Sequence, residues 1–306
     1  MKSPDNFAAL IYLKDKLHKW RNIAIMLAVF SALLLFHGLF GGGSLSGDLV
    51  HGDYIAEIKI EGVILEDDYR SGVLAEVLAD KSIKAVIVNV NSPGGGIVGS
   101  EILHNELAAI AKEKPLVVTM GSLAASGGYM IAVAADHIIA HNGTLTGSIG
   151  VLMESAEVTE LANKLGVKLT TYKSSIFKGA PSPFEKSNPQ VDRAIGESIA
   201  DSYKFFVELV RERRGDKIKN AQAFDGRVFT GRQALQLGLI DEVGGRDAAL
   251  NFLASKKIDV KNLPLIEVEV VEQEHHFLEK FFGFLPFFNE AKSRIFSGEI
   301  MAIMPR

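Results

Sequence analysis

Residues 85–96 read A-V-I-V-N-V-N-S-P-G-G-G. The run Ala85–Val90 is almost continuously apolar, as expected of a strand buried on both faces of a parallel sheet. N-S-P-G-G-G then reads as a sharp turn, and Ile97–Lys112 has the spacing of an amphipathic helix. Upstream, Tyr54–Ile60 (Y-I-A-E-I-K-I) alternates like a half-buried strand, and Val73–Ala79 reads as helix. Downstream, Leu116–Met120 reads as strand, Gly127–Ala135 as helix and His137–Ala140 as a short strand. This βαβ alternation predicts an α/β fold, a parallel sheet layered with helices. Pro189–Arg214 follows as a long amphipathic helix. Thr230 caps a short helix, G-R-Q-A-L-Q-L, which Gly238 ends, and L-I-D-E-V-G-G forms a strand and turn.

The 306 residues are 47% hydrophobic and 23% charged, which argues against disorder. A formal net charge of -4 offers no global field for nucleic acid. The absence of cysteine excludes disulfides, thiol catalysis and cysteine-based metal sites. No H-E-x-x-H or similar spacing is present, so neither a metal site nor any other cofactor is expected.

Residues 23–40 form an uncharged apolar run of about 18 residues, close to the roughly 20 that a helix needs to cross a bilayer. Lys14, Lys16, Lys19 and Arg21 precede it, with Trp20 at the interface, and G-G-G-S-L-S-G-D follows. A cleaved signal peptide would have a shorter apolar core, about 7–15 residues. The expected organisation is a cytoplasmic segment (1–22), a membrane anchor (23–40), a linker (41–53), one catalytic domain (54–272) and a tail (273–306). By the positive-inside rule, the domain lies on the extracytoplasmic side of the cytoplasmic membrane. The tail concentrates six phenylalanines in residues 277–288. It reads as a helix packed on the domain or on a neighbouring subunit, with interfacial membrane contact as the sharper alternative.

Two segments carry the chemistry. G-S-L-A-A-S-G-G-Y centres on Ser126, a hydroxyl at the start of a helical run, beside two glycines that let substrate approach. Y-K-S-S-I-F-K-G-A-P-S-P contains Lys173 and Lys178. A free lysine, with a pKa of about 10.4, needs apolar cover to act as a base at neutral pH. Ile176, Phe177, Pro181 and Pro183 would cover Lys178, although the spacing alone does not choose between the two lysines. The glycine turn after Ser92 lies at the carboxyl end of a buried strand, and its N–H groups are suited to half of an oxyanion hole. A phosphate loop is excluded for want of G-K-[ST]. Of the eight histidines, His137 and His141 follow Ser126 closely but flank a strand and read as structural.

Those motifs, together with G-T-L-T-G-S-I-G-V and D-G-R-V-F-T-G-R-Q-A-L-Q-L-G-L-I-D-E-V-G-G, resemble the signal peptide peptidase A family in its short, single-repeat form. The resemblance covers about residues 54–250. It implies a crotonase/Clp protease-like fold and a Ser/Lys dyad with Ser126 as nucleophile and Lys178 as general base. It further implies an oxyanion hole from Gly94 or Gly95 with Gly127, and a supporting Ser148. Ser175 stands where the family commonly has glycine. The implied substrates are released signal peptides or other short apolar peptides. The implied assembly is a ring-shaped homo-oligomer at the membrane, whose subunit contacts complete each site. Three other functions compete: a related protease cutting one specific membrane protein, a crotonase-like acyl-CoA enzyme, and a non-catalytic membrane scaffold.

Overall fold

A computed structural model describes residues 52–271 together with Trp20, Arg21 and Met26. The chain divides into two units, Met1–Gly52 and Asp53–Arg306. The expected anchor, apart from helical Met26, and the aromatic tail lie outside the described residues. No described helix is long and apolar enough to cross a membrane.

The second unit is built on an eight-stranded sheet. The strands are β1 (Tyr54–Ile64), β2 (Ile83–Gly95), β3 (Leu116–Ala125), β4 (His137–Ala140), β5 (Leu145–Gly147), β6 (Val228–Thr230), β7 (Glu242–Val243) and β8 (Leu265–Val268). The helices are α1 (Asp68–Ala79), α2 (Ile97–Glu113), α3 (Gly127–Ala132), α4 (Thr159–Lys164), α5 (Pro189–Arg214), α6 (Gly231–Leu237) and α7 (Arg246–Ser255). The main path runs β6-β5-β3-β2-β1-β8, while β4 adds to β3 and β7 to β4. All pairs are parallel except β5 with β6. β1, β2 and β3 are joined through α1 and α2, as parallel neighbours require.

Burial explains the composition of β2. Its residues Ala85–Val88 are fully buried because both sheet faces are covered. Val86 and Val88 join the larger core with Leu103, Leu107 and Ile110 of α2. Ala85 and Ile87 point to the other face, against Ala249 and Leu253 of α7. Each such aliphatic side chain contributes roughly 1.5–3 kcal/mol through burial.

Several expected boundaries move: β1 runs past Ile60 to Ile64, β3 runs past Met120 to Ala125, and α1 begins at Asp68 rather than Val73. N-S-P-G-G does not leave the sheet: β2 runs on to Gly95, pairing Val63 with Gly94 and Ile64 with Gly95 after a register shift. The turn is at Gly96, where α2 begins. Helix α3 stops at Ala132, three residues early, because Arg213 of α5 captures the carbonyls of Val133 (2.9 Å) and Ala134 (2.5 Å). Other expectations match closely. Helix α5 spans the expected residues. Thr230 forms a reciprocal capping box with Gln233 at the start of α6, and Gly238 ends it in left-handed conformation.

Asp241 fastens this carboxyl-terminal half to the sheet. It accepts hydrogen bonds from Arg214 (2.9 Å), Lys217 (2.8 Å) and the Ile138 N–H (2.9 Å). Burial pushes its carboxyl up, but those bonds and the Arg214 charge outweigh burial and hold it at about 2. A depressed folded-state value stabilises the fold above the unfolded carboxylate value of about 3.9. That contribution should fade as pH falls from about 4 toward 2. Asp241→Asn should leave the buried Arg214 guanidinium uncompensated and cost about 3 kcal/mol in urea unfolding at neutral pH. The deficit relative to wild type should shrink in the same acid range. An unchanged midpoint at neutral pH would show that the cluster is not holding the fold.

Candidate active site

Ser126 stands at the junction of β3 and α3. Its backbone is at φ 53° and ψ -121°, a region that L-residues rarely enter. The conformation is held from both sides. The Ser126 N–H donates to the Gly147 carbonyl (2.9 Å), and its own carbonyl accepts from Tyr129 and Met130 (both 2.9 Å). Behind it, all six residues of α3 are buried, and the Tyr129 hydroxyl donates to the Leu239 carbonyl (2.8 Å). A half-buried serine on a rigid strand-to-helix corner is what a nucleophile needs for exposure with fixed aim.

The glycine turn comes to the same point. A Cβ on Gly94, which has φ 101°, would lie 2.6 Å from the Gly127 nitrogen and 2.9 Å from the Ser126 Cβ. A Cβ on Gly127 would lie 3.2 Å from the Gly95 nitrogen. The Gly94 N–H donates to the Ser92 hydroxyl (3.0 Å). The Gly96 N–H donates to the Ile64 carbonyl (2.9 Å). With Ile64 opposite Gly95 in a parallel ladder, the Gly95 N–H faces away from β1. As the first residue of α3, Gly127 has an N–H with no acceptor inside the helix. Two N–H groups, from Gly95 and Gly127, therefore lie side by side next to Ser126.

Ser148 follows Gly147, the residue bonded to Ser126, and is likewise at positive φ (51°). Its N–H is tied to the Arg227 carbonyl (2.9 Å). Thr146, two residues before, fixes β5 to β3 through the Ala124 carbonyl (2.7 Å). Ser126, Gly94, Gly95, Gly127 and Ser148 thus form one cluster.

Lys178 does not join it within a single chain. No hydrogen bond or ion pair connects it to the cluster among the described residues. The expected apolar cover is also missing. Lys178, Pro181 and Pro183 are exposed, as are Ile176 (44%) and Phe177 (53%). The reason is local: residues 174–179 wind through tight turns at the surface, with the Lys178 N–H on the Ser175 carbonyl (3.2 Å). Lys173 instead faces a cavity of about 720 Å³ with Ile176, Pro181, Asn188 and Val191, and pairs with Glu185 at 2.5 Å. Neither Ser126 nor Lys178 lines that cavity.

No described histidine bonds to Ser126. The Nδ1 of His104 lies 2.8 Å from the Met130 carbonyl, and burial lowers its pKa. His137 stacks on Phe252 (4.4 Å between centroids) beside Glu242. Ser100 escaped the reading of the sequence, and Ser92 was read only as the start of the glycine turn. Ser92 sits in the glycine motif itself. Ser100 could have been noticed as a polar residue on the apolar stripe Leu103, Leu107, Ile110 of α2.

Comparison with known proteins places the chain in a family. Residues 108–261 match the model of peptidase family S49. A Methanocaldococcus jannaschii protein named as a candidate protease is 32% identical over 278 residues, 83% of this chain and 88% of that one. Protease 4 of Haemophilus influenzae is 35% identical over 208 residues, 64% of this chain and 34% of that one. The solved structure of a membrane-bound stomatin-specific protease variant is 14% identical, covers 71% of this chain and 98% of that one, and superposes with a TM-score of 0.47. From the family match and the near full-length relative, the chain belongs to peptidase family S49 and is a serine peptidase of the signal peptide peptidase A family.

Proposed function

We propose that this serine peptidase cleaves short apolar peptides, released signal peptides among them, with Ser126 as nucleophile and Lys178 as general base. The observation that carries the reading is the strained corner at Ser126 with the Gly95 and Gly127 N–H groups beside it. Neutral Lys178 takes the Ser126 proton, and Oγ bonds to the substrate carbonyl carbon. The Gly95 and Gly127 N–H groups hold the resulting oxyanion. Gly94 is the poorer donor, because its N–H is engaged by Ser92. Collapse breaks the C–N bond, and the lysine proton goes to the leaving amine. Water, deprotonated by the same lysine, then releases the acyl group from Ser126. The Ser148 hydroxyl orients the lysine amine.

A lysine base needs apolar cover. Ile176 and Phe177 beside Lys178 are exposed, as are Leu152 and Met153. A homo-oligomeric ring would bury them and complete each site from a neighbour. Residues 23–40 anchor the enzyme in the cytoplasmic membrane, with the catalytic domain on the extracytoplasmic side, where signal-peptide remnants accumulate.

The full-length protein should remain with membranes after alkaline carbonate washing and, in detergent, hydrolyse a fluorogenic apolar peptide. Lys178→Ala should lower kcat about 10²–10⁴-fold. Lys173→Ala, which loses the Glu185 pair, should stay within a few-fold of wild type. Equal losses in the two variants would remove Lys178 from its role, and release by carbonate would remove the anchor.

A further inference from the structure

Ser100 lies in the first turn of α2, fully buried, on the stripe that carries Leu103, His104, Leu107 and Ile110 into the core. Its hydroxyl is one of three buried side-chain polar atoms without a hydrogen-bond partner among the described residues. The Gly96 carbonyl, one turn back, is bonded to the Ser100 N–H (3.0 Å) and takes nothing from the hydroxyl. Folding does not explain a serine here. Alanine has the better helix propensity and would bury no unsatisfied group. An orphaned buried hydroxyl calls for a reason outside stability.

Its direction supplies one. A Cβ on Gly127 would lie 2.2 Å from Ser100 Oγ and 3.2 Å from the Gly95 nitrogen. The hydroxyl is therefore seated directly behind the pair of N–H groups beside Ser126. Neither glycine has a side chain to hold its peptide plane, and α3 begins without a side-chain cap.

We infer that Ser100 is a positioning residue of the oxyanion hole, an inference that rests on the reading of Ser126 as nucleophile. Its oxygen keeps Gly127 from settling onto α2, so the Gly95 and Gly127 N–H groups stay convergent. Its free O–H dipole turns as negative charge develops on the substrate oxygen, an interaction gained in the transition state and not in the ground state.

Ser100→Ala separates this role from a structural one. In the full-length enzyme, kcat on the apolar peptide should fall by roughly tenfold or more, with KM within about twofold of wild type. Affinity for a peptide boronate, which forms a tetrahedral adduct, should fall in parallel. Tm should stay level or rise, since the variant buries no unpaired hydroxyl. A kcat and boronate affinity equal to wild type, with Ser126→Ala inactive, would overturn the role of Ser100 and leave the nucleophile standing. Turnover that survives in Ser126→Ala would overturn the nucleophile, and the inference with it. A fall in Tm that accompanies the fall in kcat would make Ser100 an ordinary packing residue.

Discussion

Ser126→Ala is expected to lower kcat by about four to six orders of magnitude, with Tm close to wild type. The size of the loss follows from the corner in which Ser126 sits. Its φ of 53° is imposed by bonds to Gly147, Tyr129 and Met130, all made by the backbone, so alanine keeps the geometry and removes only the oxygen. Neighbouring hydroxyls offer no substitute. Ser92 is buried with its Oγ on the Gly94 N–H, and Ser100 is buried behind Gly127. Ser126→Gly provides the companion test. Glycine enters that conformation without strain, so this variant should be inactive yet more stable than Ser126→Ala by about 1 kcal/mol. Single-turnover hydrolysis and urea unfolding of the two variants would measure both effects. Activity within a hundredfold of wild type in either variant would place the nucleophile elsewhere.

Gly95→Ala should be nearly as damaging to activity and much more damaging to the fold. A Cβ there would lie 1.9 Å from the Ile64 carbonyl oxygen and 2.6 Å from the Ile64 nitrogen, both backbone atoms with no rotamer to relieve the clash. The same Ile64 carbonyl accepts the Gly96 N–H, so relief would open the β1–β2 ladder at its carboxyl end. A loss of about 3–5 kcal/mol is expected, with turnover abolished because the Gly95 N–H moves with its peptide. Gly96→Ala is the control. Gly96 has φ -63°, and a Cβ there would meet nothing within 4 Å. It should change stability by less than about 0.5 kcal/mol and leave turnover intact. Equal effects in the two variants would show that close approach of the backbones is not what Gly95 provides.

These adjacent glycines mark the boundary between what could be read from the chain and what could not. Patterns written in neighbouring residues were legible. The continuous apolar run of β2, the span of α5 and the box that begins α6 each depend on residues within one or two turns of each other. The prominence of Ser126 between small residues was also visible, because the corner it occupies is encoded locally. The end of α3 was not, since Arg213 caps it from about 80 positions away. Nor was the continuation of β2 through a proline and two glycines, which exists because β1 pairs with that segment.

The sequence by itself determined the α/β class and the family, and it made Ser126 and the glycine turn stand out, since periodicity, caps and motif order act over short stretches. Tertiary structure alone decided that the Gly94 N–H is engaged by Ser92, that the Ser100 hydroxyl stands against Gly127, and that the Lys178 segment lies exposed on a single chain. Each of those outcomes depends on contacts, or missing contacts, between segments distant in sequence. Such contacts form only when the sheet has set its register and brought the ends of β1, β2 and β3 together.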